Sequence, residues 1–112
     1  MINDVNFSTE IEKIAAILFR NLETAWDLLE IKFELYSENG DFHIATHAEH
    51  KNQTISVYLQ SSDIDDLYEY FSAIRKKCIE KWYIAELKFY PDGTWNIEFV
   101  YGEIPEVEDD GE

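Results

Sequence analysis

The chain has 112 residues, and its 24 acidic and 9 basic side chains give a formal net charge of −15 at pH 7. It is also 46% hydrophobic and 15% aromatic, a composition typical of a folded protein rather than of a disordered acidic chain. A negative charge of this size weakens affinity for nucleic acid and for anionic membranes, and it speeds association with basic proteins. We therefore expect no nucleic acid and no membrane among the partners, and a basic protein as the partner.

The length suits one domain, which we place at residues 1–102, followed by an acidic C-terminal tail at 103–112. The single cysteine cannot form an internal disulfide, and the N-terminus lacks the basic-then-apolar pattern of a signal peptide. Both observations favour a cytoplasmic protein.

In the first half, Thr9 and Glu12 have the spacing of a capping box, and apolar residues then recur at helical spacing to about Asn21. Apolar and polar residues alternate afterwards, which predicts a meander of three strands. These strands are expected around 31–35, 42–48 and 55–59, with turns at 38–41 and 50–52.

In the second half, Ser62 and Asp65 repeat the capping pattern, and an apolar stripe predicts a helix that ends near Lys81. A hairpin follows, with strands around 87–89 and 95–101. The order α-β-β-β-α-β-β predicts an α+β fold, in which two helices cover one face of a five-stranded antiparallel sheet.

The other face of this sheet is expected to be open to a partner. Strand alternation assigns six residues to it: Tyr36, His43, His47, Tyr58, Tyr90 and Val100.

Catalytic and metal-binding chemistry finds little support in the sequence. Four residues of strand separate His43 from His47 by about 13 Å, which is too far for a shared ion. Cys78 lies on the apolar stripe of the second helix, where a lone cysteine is usually a small buried hydrophobe. The glycines form no phosphate-binding loop. We expect no enzyme, no cofactor and no metal.

Several aromatic and turn segments together resemble the YezG-like (DUF600-type) immunity proteins of bacterial polymorphic toxin and contact-dependent growth inhibition systems. The resemblance lies in the helix at 11–22, Trp26, the run 66–71, Trp82 and the hairpin at 92–101. It implies an antitoxin that binds a cognate toxin domain, often a nuclease, and covers its active site or substrate-binding surface.

For such an interaction, we predict a contact surface at the start of the second helix, with tyrosines as anchors and tail acids as additional contacts. The predicted residues are Asp63, Asp65, Asp66, Glu69, Tyr36, Tyr58, Tyr90, Glu108, Asp109 and Asp110. The alternative is an acidic secretion-effector chaperone, which would bind an effector segment as a dimer. For the antitoxin, we expect a monomer or a weak dimer.

Overall fold

The chain forms two α-helices and five β-strands in the computed structural model, which describes residues 7–22 and 25–104. In chain order the elements are α1 Ser8–Arg20, β1 Leu28–Leu35, β2 Phe42–His50, β3 Gln53–Ser56, α2 Ser61–Lys77, β4 Trp82–Phe89 and β5 Trp95–Tyr101. The predicted α+β class and element order are therefore confirmed.

The five strands form one antiparallel sheet in the spatial order β3-β2-β1-β4-β5. The first three strands form a meander and the last two a hairpin, and β1 joins these two units by pairing with β4. The helix α2 connects β3, at one edge of the sheet, to β4, beside the central strand. None of the described helices is long and apolar enough to cross a membrane.

Both helices pack against the same face of the sheet. Phe71 of α2 stacks on Phe33 of β1, with the ring centroids 4.7 Å apart, and Phe19 of α1 meets Phe89 of β4 edge-on at 5.9 Å. The core also contains Trp82 at the start of β4, which is completely buried and meets Phe33 edge-on. Aromatic pairs of this kind contribute about 0.5–1.5 kcal/mol beyond the burial of their surface.

The helix ends differ from the predicted ones. The first helix begins at Ser8, and its cap residue Phe7 makes no side-chain hydrogen bond, so the predicted capping box of Thr9 and Glu12 is wrong. In α2 the capping box has the same spacing two residues earlier, between Gln60 and Asp63. This helix stops at Lys77 rather than near Lys81, because the backbone at Cys78 is already extended.

The strand β3 is shorter than predicted and ends at Ser56. Beyond it, the carbonyl of Val57 accepts a hydrogen bond from the Thr46 hydroxyl at 3.1 Å, so a side chain replaces the next main-chain contact of the ladder. The turn before β3 contains only Lys51 and Asn52, both with positive φ, as a tight hairpin turn requires.

Candidate functional site

The face of the sheet opposite the helices is a candidate binding surface. We call it the open face, and it comprises the alternate strand residues that point away from the helices. Its charged residues are Glu30, Lys32 and Glu34 of β1, His43, His47 and Glu49 of β2, Glu86 and Lys88 of β4, and Glu98 of β5. Carboxylates therefore outnumber lysines on this surface, and no helix of the described part of the chain covers it.

The pairing of the strands brings two of these carboxylates together. Glu86 is directly opposite Glu98 in the β4–β5 ladder, and Lys32 is opposite Glu86 on the other side. Glu98 belongs to the edge strand and has no strand beyond it among the described residues. Like charges directly opposite each other destabilise a sheet. This pair therefore marks a place where a cation from outside would be favourable.

The open-face prediction is right for His43, His47 and Val100, whose strand partners place them on this surface. The His47 imidazole lies 3.2 Å from a Glu30 carboxylate oxygen and 3.7 Å from one of Glu49. Within residues 7–22 and 25–104, no group of His, Cys, Asp and Glu side chains is arranged to hold a metal ion.

The three predicted tyrosine anchors are exposed, but they do not form one cluster. Tyr36 directly follows β1, whereas Tyr90 directly follows β4, whose last residue pairs with the beginning of β1. Along β1, the position next to Tyr90 and the position of Tyr36 are separated by eight residues of strand, a distance of roughly 26 Å. Tyr58 follows the edge strand β3 and is 81% exposed. A partner that contacts one of these tyrosines need not contact the others.

Asp63, a predicted contact residue, is buried between the two helices. Its carboxylate accepts hydrogen bonds from the Arg20 guanidinium at 2.6 Å, from the Asn21 amide at 3.2 Å and from the Gln60 backbone N–H at 3.1 Å. The bond from Arg20 and the backbone bond hold the pKa of Asp63 below its usual range. With only 4% of the residue exposed, Asp63 links α1 to α2 and has almost no surface that a partner could contact.

The neighbouring acids Asp65, Asp66 and Glu69 are exposed on α2, and the described residues offer them no ion-pair partner. They keep the predicted character of a solvent-facing acidic patch, which we call the α2 patch. This patch and the open face lie on opposite sides of the protein, because α2 covers the other face of the sheet. The predicted tail contacts Glu108, Asp109 and Asp110 lie outside the described residues.

The acids Glu86 and Glu98 were not predicted as contact residues. Strand alternation alone assigns both of them to the open face, so this signal was present in the sequence. Their direct opposition follows only from the β4–β5 pairing, in which Phe89 pairs with Trp95.

Together, these features define an α+β protein whose antiparallel sheet is covered by two helices on one face and presents an acidic surface on the other. A comparison with protein-family models finds no match for the chain. A comparison with curated proteins also finds none. The resemblance to immunity proteins therefore remains a prediction that rests on the residues quoted for it.

Proposed function

We propose that the protein is an immunity protein that binds a basic protein toxin through the open face of its sheet and thereby neutralises it. The observation that carries this proposal is the excess of carboxylates on a sheet face that no described helix covers, with Glu86 directly opposite Glu98. Solubility requires charged groups on the surface, but it does not require two acids to lie directly opposite each other in neighbouring strands.

The expected chemistry of the partner follows from the charge. A nuclease must present Lys and Arg side chains to the phosphates of its substrate. An acidic protein surface can occupy the same groove, exclude the substrate and be attracted to it from a distance. The net charge of −15 supports this steering for the protein as a whole.

We prefer the open face to the α2 patch because the local structure accounts for the acids of the α2 patch better than it does for Glu86 and Glu98. Asp65 and Asp66 lie in the second turn of α2, where the helix dipole still gives weak support to negative charge. Glu86 and Glu98 lie within strands and have no such benefit. Lys32 lies opposite Glu86 on one side, but Glu98 has only Glu86 directly opposite it, so a cation beside Glu98 would be favourable in a complex.

The test begins with the protein encoded beside this one. Expression of that protein alone is expected to arrest growth, and co-expression of this chain is expected to restore it, with a stable complex on purification. A lack of both protection and binding would refute the proposal. An obligate dimer that binds an extended segment of a secreted effector, without affecting toxicity, would favour the chaperone instead.

Two double variants with equal charge change then locate the surface. Glu86→Lys with Glu98→Lys alters the open face, and Asp65→Lys with Asp66→Lys alters the α2 patch. We expect the first pair to slow association with the toxin by at least about tenfold at low salt and to flatten its salt dependence. The second pair should have a smaller effect. The opposite ranking would assign the contact to the α2 patch, as first predicted from the sequence.

A further inference from the structure

Among residues 7–22 and 25–104, the strand β5 forms a long edge of the sheet with no further strand beyond it. It runs from Trp95 to Tyr101, about 23 Å of extended chain, whereas the opposite edge strand β3 contains only Gln53–Ser56. Edge strands usually carry lysine, proline or a bulge that prevents pairing with another chain. The sequence of β5 contains no lysine and no proline, and most of its residues are aromatic or β-branched.

The hairpin geometry shows which groups of β5 face outwards. The Tyr90 N–H donates to the Thr94 carbonyl, so these two residues form a hydrogen-bonded pair at the turn. In an antiparallel ladder such pairs alternate with pairs that make no hydrogen bonds. Asn96 and Glu98 therefore bond to β4, and the N–H and C=O groups of Trp95, Ile97 and Phe99 point away from it, towards the free edge. These outward groups can pair with an added strand.

The side chains of β5 define what such a strand should contain. On the open face, Glu98 lies beside the free edge with Glu86 behind it. On the helix face, Trp95 is 39% exposed and Phe99 is half-buried, so both leave apolar surface that a further strand would cover. A matching strand would alternate basic and apolar residues, with a lysine or arginine opposite Glu98.

A second copy of the chain is a poor occupant for this edge. Glu98 is the central residue of β5, so antiparallel pairing of two β5 strands along their full length would place Glu98 opposite its counterpart. This would be a pair without hydrogen bonds, in which the side chains come closest. Four carboxylates would then lie in one row, with Glu86 of each copy at the ends. The charge of the edge thus opposes self-association and favours a basic strand.

We propose that the β5 edge binds a strand of the basic partner by antiparallel strand addition, with a cationic side chain of that strand beside Glu98. The identity of the partner as a toxin rests on the proposed function above. The pairing itself rests on the open edge, the outward backbone groups and the charge at Glu98. The added strand would extend the sheet to six strands and would place the partner next to the open face.

A pair of isomeric peptides tests the geometry without any toxin. Both have the sequence Val-Lys-Val-Lys-Val-Lys-Val with blocked ends and three N-methylated backbone nitrogens, which belong either to the last three valines or to the three lysines. In the proposed pairing the valine N–H groups point towards β5 and the lysine N–H groups point away. The lysine-methylated peptide is expected to bind at least about tenfold more tightly, because it keeps every hydrogen bond to the edge.

Binding would be followed by amide chemical shifts of the labelled protein, and the largest changes are expected in β5. Glu98→Gln should weaken binding about two- to fivefold, whereas Glu12→Gln, an exposed acid on α1, should leave it unchanged. Equal affinity of both peptides, a preference for the valine-methylated one, or no binding of either at millimolar concentration would overturn antiparallel addition. A dimer of the chain that dissociates on addition of the lysine-methylated peptide would show that a second copy occupies the edge, and it would also overturn the proposal.

The peptide assay and the protection assay can fail independently. Protection with no peptide binding would leave the immunity function intact and refute the strand addition. Peptide binding with no protection would refute the immunity function and leave the strand addition intact.

Discussion

Replacing Asp63 by alanine should destabilise the protein because this buried carboxylate connects the two helices. The change removes the acceptor for Arg20, for Asn21 and for the backbone N–H of Gln60. It also removes one half of the capping box that begins α2. The exposed acid Asp66 on the same helix, for which no side-chain hydrogen bond or ion pair is present among the described residues, provides a matched control.

The size of the effect can be worked out from these contacts. Loss of a helix cap typically costs about 1 kcal/mol. The Arg20 side chain is 59% exposed, so its ion pair contributes less than a buried one, about 0.5 kcal/mol. The bond from Asn21 adds about 0.5 kcal/mol. We expect Asp63→Ala to lower the free energy of unfolding by about 2 kcal/mol, and Asp66→Ala by less than about 0.5 kcal/mol.

Urea unfolding, followed by circular dichroism, measures both variants at pH 7 and at lower pH. The folded-state pKa of Asp63 is lowered, so its contribution to stability is fully present above the pKa of the unfolded chain. It is lost as the pH falls below about 4 and through the folded-state pKa. The difference in the free energy of unfolding between Asp63→Ala and the parent protein should therefore become smaller as the pH is lowered. This reasoning would be refuted if Asp63→Ala and Asp66→Ala lowered the free energy of unfolding equally. It would also be refuted if the difference between Asp63→Ala and the parent protein did not depend on pH.

Three further effects are expected. Gly40→Ala should cost about 1–2 kcal/mol, because Gly40 has φ of +104° and an added Cβ would lie 3.2 Å from the Tyr68 hydroxyl oxygen. Arg75→Lys should cost about 1 kcal/mol in urea unfolding, because lysine cannot reproduce the bond from Nε to the Trp82 carbonyl at 2.7 Å. The Cys78 thiol should react with iodoacetamide at pH 8 several-fold more slowly than in the unfolded chain, since burial raises its pKa.

The first two of these effects have a comparison within the chain. Gly93→Ala shares the positive φ but meets no atom within 4 Å, so a smaller cost there would isolate the contact at Gly40. Lys76→Ala, one residue after Arg75 and exposed, should be nearly neutral. Equal costs in either comparison, or alkylation of Cys78 at the same rate in the folded and unfolded protein, would contradict the corresponding explanation.

The strand β1 was predictable because burial alternates along it without interruption. In β1 every second residue from Leu29 to Leu35 is buried, which matches the apolar pattern of the sequence. The order of the strands was not predictable in this way. The pairing of β1 with β4 joins segments that are separated by β2, β3 and α2. Nothing in the local pattern of either strand identifies the other as its neighbour.

Helix capping shows why the contact residues were only partly predictable. Gln60 with Asp63 and Ser62 with Asp65 have the same three-residue spacing, and serine is the stronger cap by residue preference. The first pair caps α2 because Asp63 also reaches Arg20 of α1, a tertiary contact that spacing cannot reveal. A carboxylate that holds the fold together therefore had the same sequence signature as the exposed acids around it.

At Glu86 and Glu98, the requirements of folding and of binding differ. A cross-strand pair of like charges costs about 0.2–1 kcal/mol, and a lysine at position 98 would remove that cost by forming an attractive pair with Glu86. Glu98→Lys should thus make the isolated protein slightly more stable while it weakens the complex. A variant that binds less well usually also folds less well, because most substitutions are destabilising. An increase in stability with a loss of affinity would therefore separate a binding residue from a structural one, which a loss of affinity alone does not.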